Sequence, residues 1–292
     1  MDNITFMISV FCLIDDFLAG KRLRRRGPQP TLRDSEVLTI EVVGEFLGLD
    51  TESSIFAHFR RYYAAWFPGL RRVNRTTFTR QAANLWRVKR ELWQAMVQRI
   101  PHDPSLSIVD SFPVPVCRFA RAPRCRSFGG VAAFGYDEVA RQTYYGLRAH
   151  VRLAWPGVLA DCRLVPANIH DTEGAEELLE GMHGYVLADR NYWKPELAER
   201  LKAQGVCLLA PYKSAKRQKQ PWPRHWTHMR YRIETVFGQL VERFQAKRVW
   251  ARDLWHLTSR WMRKFLSHTL AVYFCAQTQQ NSYLSFAKLV QD

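Results

Sequence analysis

The stretch SIVDSF at residues 107–112 decides the fold, together with VLADRNYW at residues 186–193 and RYRIETVFGQL at residues 230–240. In the first two, a short apolar run leads into an Asp, a pattern typical of a buried strand that ends in a carboxylate. In the third, apolar residues recur at helical spacing, and Glu234 lies beside that apolar stripe. The sequence thus predicts two strands and one helix that each carry an acid.

Each of these acids alone has an ordinary structural explanation. An Asp at the end of a strand is commonly a turn or cap residue, and helices contain many Glu residues. Asp110, however, follows a run that resembles interior strand, where a carboxylate without a partner is costly. Asp189 follows a run of the same kind. The joint pattern predicts a divalent-metal site, because hard cations bind carboxylate oxygens and two bound metal ions can promote cleavage of a phosphodiester.

Composition indicates what such a site acts on. The chain has 292 residues, a formal net charge of +16 and 47% hydrophobic residues, so it is expected to fold and to bind nucleic acid or an anionic membrane surface. No apolar run approaches the roughly 20 residues that span a bilayer. The first residues lack a basic stretch before their apolar part, so they predict a core helix and not a signal peptide. Six scattered cysteines without a CxxC pair favour reduced thiols and a cytoplasmic protein.

The N-terminal third is predicted to be an all-helical domain over residues 1–100. A basic segment, GKRLRRRGPQP at residues 20–30, interrupts the helical pattern with Gly and Pro. The predicted helices cover residues 5–19, a stretch from about 33 to 49, 52–65 and 76–99. Two interpretations stay open: an ordinary helical bundle with a solvated cationic face, or a DNA-binding domain of helix-turn-helix type.

The hydrophobic period changes near Pro101, where strands begin to alternate with helices. The predicted strands cover residues 105–111, 143–155, 158–167, 184–191 and 205–212. The predicted helices cover residues 170–182 (with Asp171 as the cap), 194–204, 230–244 and 254–277. This order predicts an α/β protein with an RNase H-like mixed sheet flanked by helices, a domain over residues 101–280 and a C-terminal tail over residues 281–292.

At these positions the sequence resembles DDE insertion-sequence transposases, bacterial mobile-element enzymes with an RNase H-like catalytic domain. In that family a first Asp lies in a strand, as Asp110 does in SIVDS. The second Asp is followed by an aromatic residue, which Asp189 and Tyr192 match. The third acid is a helical Glu with an Arg four residues before it, which Glu234 and Arg230 match. The resemblance implies that the three acids are the catalytic residues.

The resemblance extends from about Leu32 to Cys275. VPANIHDTEGAEELL at residues 165–179 is similar to the stretch that such enzymes carry before the second Asp. SEVLTIEVVGEFLGLDTESSIFAHFRRYY at residues 35–63 is similar to their helical N-terminal part. The sequence departs from the broader group at Val241, where a Lys is frequent, and Thr227 stands where some relatives have a Tyr.

The resemblance also implies an activity and its partners. Asp110, Asp189 and Glu234 would bind two Mg²⁺ ions per active site, with Mn²⁺ as a substitute, for hydrolytic cleavage at transposon ends and 3′-OH strand transfer. The partners would be double-stranded DNA, as terminal inverted repeats and as target, and a second copy in a homodimer on DNA. No membrane or nucleotide cofactor is expected, and the site of action would be the bacterial cytoplasm at the nucleoid. The alternatives are an RNase H-like metal-dependent nuclease and a catalytically inactive, transposase-derived DNA-binding protein.

Basic residues near the second and third acids are the candidate DNA contacts. From residue 211 to residue 270 the sequence has 14 Lys or Arg residues against three acids, interleaved with aromatic residues. The candidates are Arg190, Tyr192, Lys213, Lys216, Arg217, Lys219, Arg230, Arg243, Lys247 and Arg248. A second cluster of arginines, Arg118, Arg121, Arg124 and Arg126, predicts a loop beside Asp110 that either clamps DNA or is a solvated surface loop.

Overall fold

A computed structural model describes residues 1–24, 26–212, 221–278, 283–286 and 289–290. The chain forms two compact units. The first unit contains Met1–Ile100, Leu240–Ala246 and Trp250–Asp292, and the second contains Pro101–Gln239 and Lys247–Val249. Among the helices that the structure describes, none combines the length and the apolar character needed to cross a membrane.

The first unit is helical. Its helices are α1 (Asn3–Leu18), α2 (Asp34–Phe46), α3 (Glu52–Tyr62), α4 (Arg75–Asn84), α5 (Trp86–Arg99) and α9 (Leu254–Gln277). Side chains cap several of their N-termini, as Asn74 does for α4 by accepting a hydrogen bond from the Thr77 amide. The helix predicted over residues 76–99 is in fact two helices that meet at Leu85. The break is not visible in the hydrophobic pattern because Leu85 itself is buried.

Helix α9 packs with the N-terminal helices through buried ion pairs. Arg263 Nε lies 2.5 Å from Glu45 Oε2, and Lys264 Nζ also pairs with Glu45. Lys89 Nζ of α5 lies 2.5 Å from Glu41 Oε2. The predicted single domain over residues 101–280 is therefore wrong for α9. Lys89 belongs to the face predicted to be solvated, whereas Lys89, Arg263 and Lys264 are at most 1% exposed and pair with acids of α2.

The second unit contains a mixed sheet with helices packed on it. Its strands are β1 (Asp103–Pro115), β2 (Ala133–Asp137), β3 (Gln142–Trp155), β4 (Val158–Pro166), β5 (Gly184–Leu187) and β6 (Val206–Leu209). Its helices are α6 (Asp171–Leu178), α7 (Pro195–Ala203) and α8 (Arg224–Gly238). Strand β3 pairs antiparallel with β1, β2 and β4, whereas β1, β5 and β6 run parallel. The fold is thus α/β, with an RNase H-like mixed sheet preceded by helices, as predicted.

Several local features differ from the prediction. Strand β5, predicted over residues 184–191, ends at Leu187, so Asp189 follows the strand. Strand β2 was not predicted, because AFGYD is short and contains a Gly. Strand β1 continues to Pro115, so Asp110 lies inside a strand and not at its end. His170, and not Asp171, caps α6: the ring nitrogen Nδ1 of His170 accepts a hydrogen bond from the Thr172 amide.

Alternate residues of β1 face opposite sides of the sheet. Val109 packs into a core cluster on the side that α6 and α7 cover. The ring centroid of Phe112 lies 4.8 Å from that of Phe237 in α8, on the other side. By the two-residue period, Asp110 shares the α8 side with Phe112, and Ser111 shares the α6 side with Val109. This alternation determines which neighbours each of the two polar residues meets.

Candidate active site

The sheet places Asp110 and Asp189 side by side. Ile108 of β1 pairs in parallel register with Leu187 of β5. Both Asp residues lie two positions beyond that pair, so the strand period places them next to each other on the side that α8 covers. Strand β1 pairs with β5 only as far as Ile108 and continues beyond it with β3 alone. Asp110 therefore lies where the sheet opens beside β5.

Helix α8 carries Glu234, and Arg230 of the same helix links this acid to Asp110. The Nη2 atom of Arg230 donates a hydrogen bond to Glu234 Oε1 at 3.1 Å, one helical turn away. The Nη1 atom of the same guanidinium lies 3.8 Å from Asp110 Oδ2. Ile233 and Val236 are fully buried, so the helix is fixed against the sheet by its apolar stripe. One cation thus joins the helical acid to a strand acid.

The local environment disfavours the ionised form of both strand acids. The pKa of Asp110 is raised to about 7, mainly by burial and also by the neighbouring charge of Asp189, against the opposing effects of the Ser111 amide and Arg230. Burial also raises the pKa of Asp189, while a hydrogen bond from the Asn191 amide, 2.7 Å from Asp189 Oδ1, lowers it. Carboxylates that repel each other in a desolvated place favour the approach of a cation.

Asp171 is a functional candidate, although its place in the sequence predicts only a helix cap. Its Oδ1 accepts a hydrogen bond from Ser111 Oγ at 2.7 Å and another from Arg148 Nη1 at 3.0 Å. Its negative charge also contributes to the raised pKa of Asp110 and of Asp189. The only sequence signal for it is its place in the stretch that resembles transposases. Asp171 therefore supports the residue next to Asp110 from the opposite side of the sheet.

Tyr192 was predicted to contact DNA, and its position is at odds with that role. The side chain is 1% exposed and belongs to the core cluster that α6 and α7 cover. Burial raises the pKa of its phenol well above the usual range, and the charges of Asp171 and Asp110 raise it further. Because the aromatic ring fills the core behind the acids, Tyr192 supports the site from within.

The other candidate DNA contacts lie in different parts of the structure. Arg190 is exposed in the turn that follows Asp189. Arg243 belongs to the first unit, where its Nη2 donates to the Phe46 carbonyl at 3.2 Å and its guanidinium covers the Phe46 ring. Lys247 is partly exposed and Arg248 exposed, and both belong to the second unit. The predicted contacts Lys213, Lys216, Arg217 and Lys219 lie outside the described residues. The structure thus brings Arg230 to the acids and assigns Arg243 to other contacts.

Comparison with known proteins identifies the family of the chain. A profile described as a transposase DDE domain matches residues 102–252, just over half of the chain and nearly all of the second unit. No curated protein matches the sequence significantly. A solved structure, the cryo-EM synaptic complex of piggyBac transposase with hairpin DNA, superposes with a TM-score of 0.42 at 9% identity, covering 100% of this chain and 86% of that one. On the profile match, the chain belongs to the transposase DDE domain family.

Proposed function

We propose that this protein is the transposase of an insertion sequence, which cleaves DNA at the ends of the element and joins the freed ends to target DNA. Membership of the transposase family supports action on DNA. The observation that carries the proposal is the convergence of Asp110, Asp189 and Glu234 around one guanidinium, that of Arg230. Three carboxylates from two strands and a helix are the donor set that phosphodiester chemistry with hard cations requires.

Asp110, Asp189 and Glu234 would hold the divalent ions, Mg²⁺ or Mn²⁺, because their oxygens are the donors these cations prefer. Among the described residues, no three His, Cys, Asp or Glu side chains form a ready-made cation cluster. Arg230 instead pairs with Glu234 and lies near Asp110. When bound, the ions would supply Lewis acidity at the phosphorus and lower the pKa of the attacking water or hydroxyl.

The chain itself would position the DNA and hold the charges. In the first step a water attacks the phosphorus, the bond to the 3′ oxygen breaks, and a 3′-hydroxyl and a 5′-phosphate remain. In the second step that hydroxyl attacks a target phosphodiester and a second 3′-hydroxyl leaves. Arg230, released from Glu234, would reach a phosphate oxygen. Arg190, exposed beside Asp189, would contact the backbone of the same strand.

The test is cleavage and joining of a labelled duplex that ends in the element's inverted repeat, with Mg²⁺, Mn²⁺ or EDTA. We expect nicking at the repeat end and joined product with either metal, and neither product in EDTA or with Asp189→Asn. Asp161→Asn, an acid of β4 outside the candidate site, is the control and should keep both activities.

Two other outcomes would contradict the proposal. Nicking without joined product, on a substrate that supplies a target, would identify a metal-dependent nuclease of the same fold. Tight, repeat-specific binding without cleavage in either metal would identify an inactive DNA-binding protein derived from a transposase.

A further inference from the structure

The outer side of the β2–β3 hairpin carries aromatic side chains that face solvent. Phe134 and Tyr136 alternate along β2 and so project from one face, where they are 51% and 52% exposed. Tyr145 of β3 pairs with Phe134, with ring centroids 5.1 Å apart. Phe119, in the preceding turn, is 54% exposed and lies edge-on to Phe134 at 6.1 Å. We call these four residues the aromatic surface.

The packing of β2 prevents these aromatic side chains from facing the protein interior. A Cβ at Gly135 would lie 2.6 Å from the carbonyl oxygen of Ala167, so the other side of β2 lies directly on the chain that follows β4. A shift of β2 by one residue would press Phe134 or Tyr136 into that backbone. The packing of Gly135 thus keeps the aromatic rings in water, and exposed apolar clusters of this kind commonly mark binding surfaces.

Cations accompany the aromatic surface. Arg118, Arg121 and Arg124 flank or follow Phe119 in the same short helical turn, and Arg126 comes two residues later. All four are exposed, and none forms an ion pair with any residue in the described ranges. Unpaired guanidinium groups beside exposed rings match the chemistry of a single nucleic-acid strand, which offers phosphates and flat bases together.

The aromatic surface is connected to the candidate site. Arg148 donates one hydrogen bond to the Tyr136 carbonyl at 3.1 Å and another to Asp171 at 3.0 Å. Glu138, in the hairpin turn, is close enough to Asp189 for its charge to raise the pKa of that acid. Leu147 of β3 pairs with Val114 of β1 and Tyr145 of β3 pairs with Phe134, so the strand period places the Phe134 and Tyr145 rings on the same side of the sheet as Asp110.

We propose that the aromatic surface, with its flanking arginines, binds unpaired bases of a DNA end at the active site. The bases stack on Phe134, Tyr136 and their neighbours while the arginines hold the adjoining phosphates. The inference rests on the proposed function in taking DNA as the partner, and it adds that the DNA end is held with bases unpaired.

The experiment measures binding of the full chain in EDTA, so that it is independent of cleavage. Two fluorescent duplexes of identical sequence are compared by anisotropy, one blunt and one with three unpaired nucleotides at its end. We expect the wild type to prefer the unpaired end at least about fivefold, the smallest effect of one stacked base. Phe134→Ala with Tyr136→Ala should bring this ratio close to one and leave binding of the blunt duplex unchanged.

The control is Tyr185→Ala, which removes an equally exposed tyrosine, 54%, from β5 and should keep the wild-type ratio. Phe119→Ser is a second variant outside the sheet, and it should lower the ratio even where the double variant folds poorly. Arg121→Gln should weaken binding of both duplexes and reduce the dependence on salt.

An unchanged ratio in the double variant and in Phe119→Ser would overturn the inference. A change of oligomeric state by light scattering, again with an unchanged ratio, would instead assign the aromatic surface to a second copy of the chain. If the wild type does not cleave DNA but still prefers the unpaired end, this result contradicts only the proposed function.

Discussion

Ser111 and Asp171 are joined by a hydrogen bond of 2.7 Å, although 60 positions separate them in the chain. Ser111 immediately follows Asp110, and the strand period directs the two side chains to opposite sides of the sheet. Asp110 therefore faces the helix that carries Glu234, while its neighbour is fixed by α6. The contact ties the backbone at Asp110 to a helix that contributes none of the three predicted catalytic acids.

Removal of the Asp171 carboxylate should therefore impair the site without unfolding the protein. Asp171→Ala leaves Ser111 and Arg148 without their acceptor, so we expect cleavage to fall about 10- to 100-fold, the usual cost of losing a residue that orients a metal ligand. Asp171→Asn keeps an oxygen acceptor and should lose less. The measurement is the cleavage rate as a function of Mg²⁺ concentration.

A positioning role requires that the Mg²⁺ concentration for half-maximal rate rises in Asp171→Ala while the melting temperature changes little. Asp161→Asn is the matched control. A lower rate at all Mg²⁺ concentrations, with an unchanged midpoint, would show that Asp171 does not act through the acids proposed to bind the cations.

The raised pKa of Asp110 predicts a pH-dependent gain in stability for Asp110→Asn. Burial raises this pKa from 3.8 in the unfolded chain to about 7, so the folded protein binds the proton more tightly. The wild type therefore loses stability as the pH rises from about 4 to about 7, and the variant does not. In EDTA, the variant should match the wild type near pH 4 and melt several degrees higher above pH 7.

Addition of Mg²⁺ at pH 8 provides the second arm of this experiment. A cation that binds the carboxylate should raise the melting temperature of the wild type and leave that of Asp110→Asn nearly unchanged. A constant difference between the two proteins at every pH would refute the assignment of the raised pKa to Asp110.

The ion pairs of α9 predict a large loss of stability on substitution of Arg263. This guanidinium is fully buried and contacts Glu41, Glu45 and Glu52. Arg263→Met removes the positive charge that balances these buried carboxylates, and we expect a loss of about 3–5 kcal/mol in the free energy of unfolding. Urea denaturation followed by circular dichroism measures it. Arg80→Met, on the exposed side of α4, should change the same quantity by less than about 0.5 kcal/mol.

Secondary-structure elements that follow from the pattern of neighbouring residues could be predicted from the sequence. The alternation of β3 and the apolar stripe of α8 each follow from a local period, and both elements form. The break at Leu85 and the strand β2 could not, because a buried Leu suits either side of a helix junction and AFGYD gives no strong strand signal. Tyr192 follows Asp189 by three residues, and nothing in the sequence distinguishes a ring that faces DNA from one that fills the core.

The sequence by itself determined the strand that carries Asp110, the strand that leads into Asp189 and the helix that carries Glu234, because the hydrophobic period of each segment defines it as strand or helix. Only the tertiary structure decided that Arg230 lies between Glu234 and Asp110, that Asp171 holds Ser111, and that the cations of α9 are buried. These are contacts between residues far apart in the chain. They depend on the register of β1 with β3 and β5 and on helix packing, which no local pattern encodes.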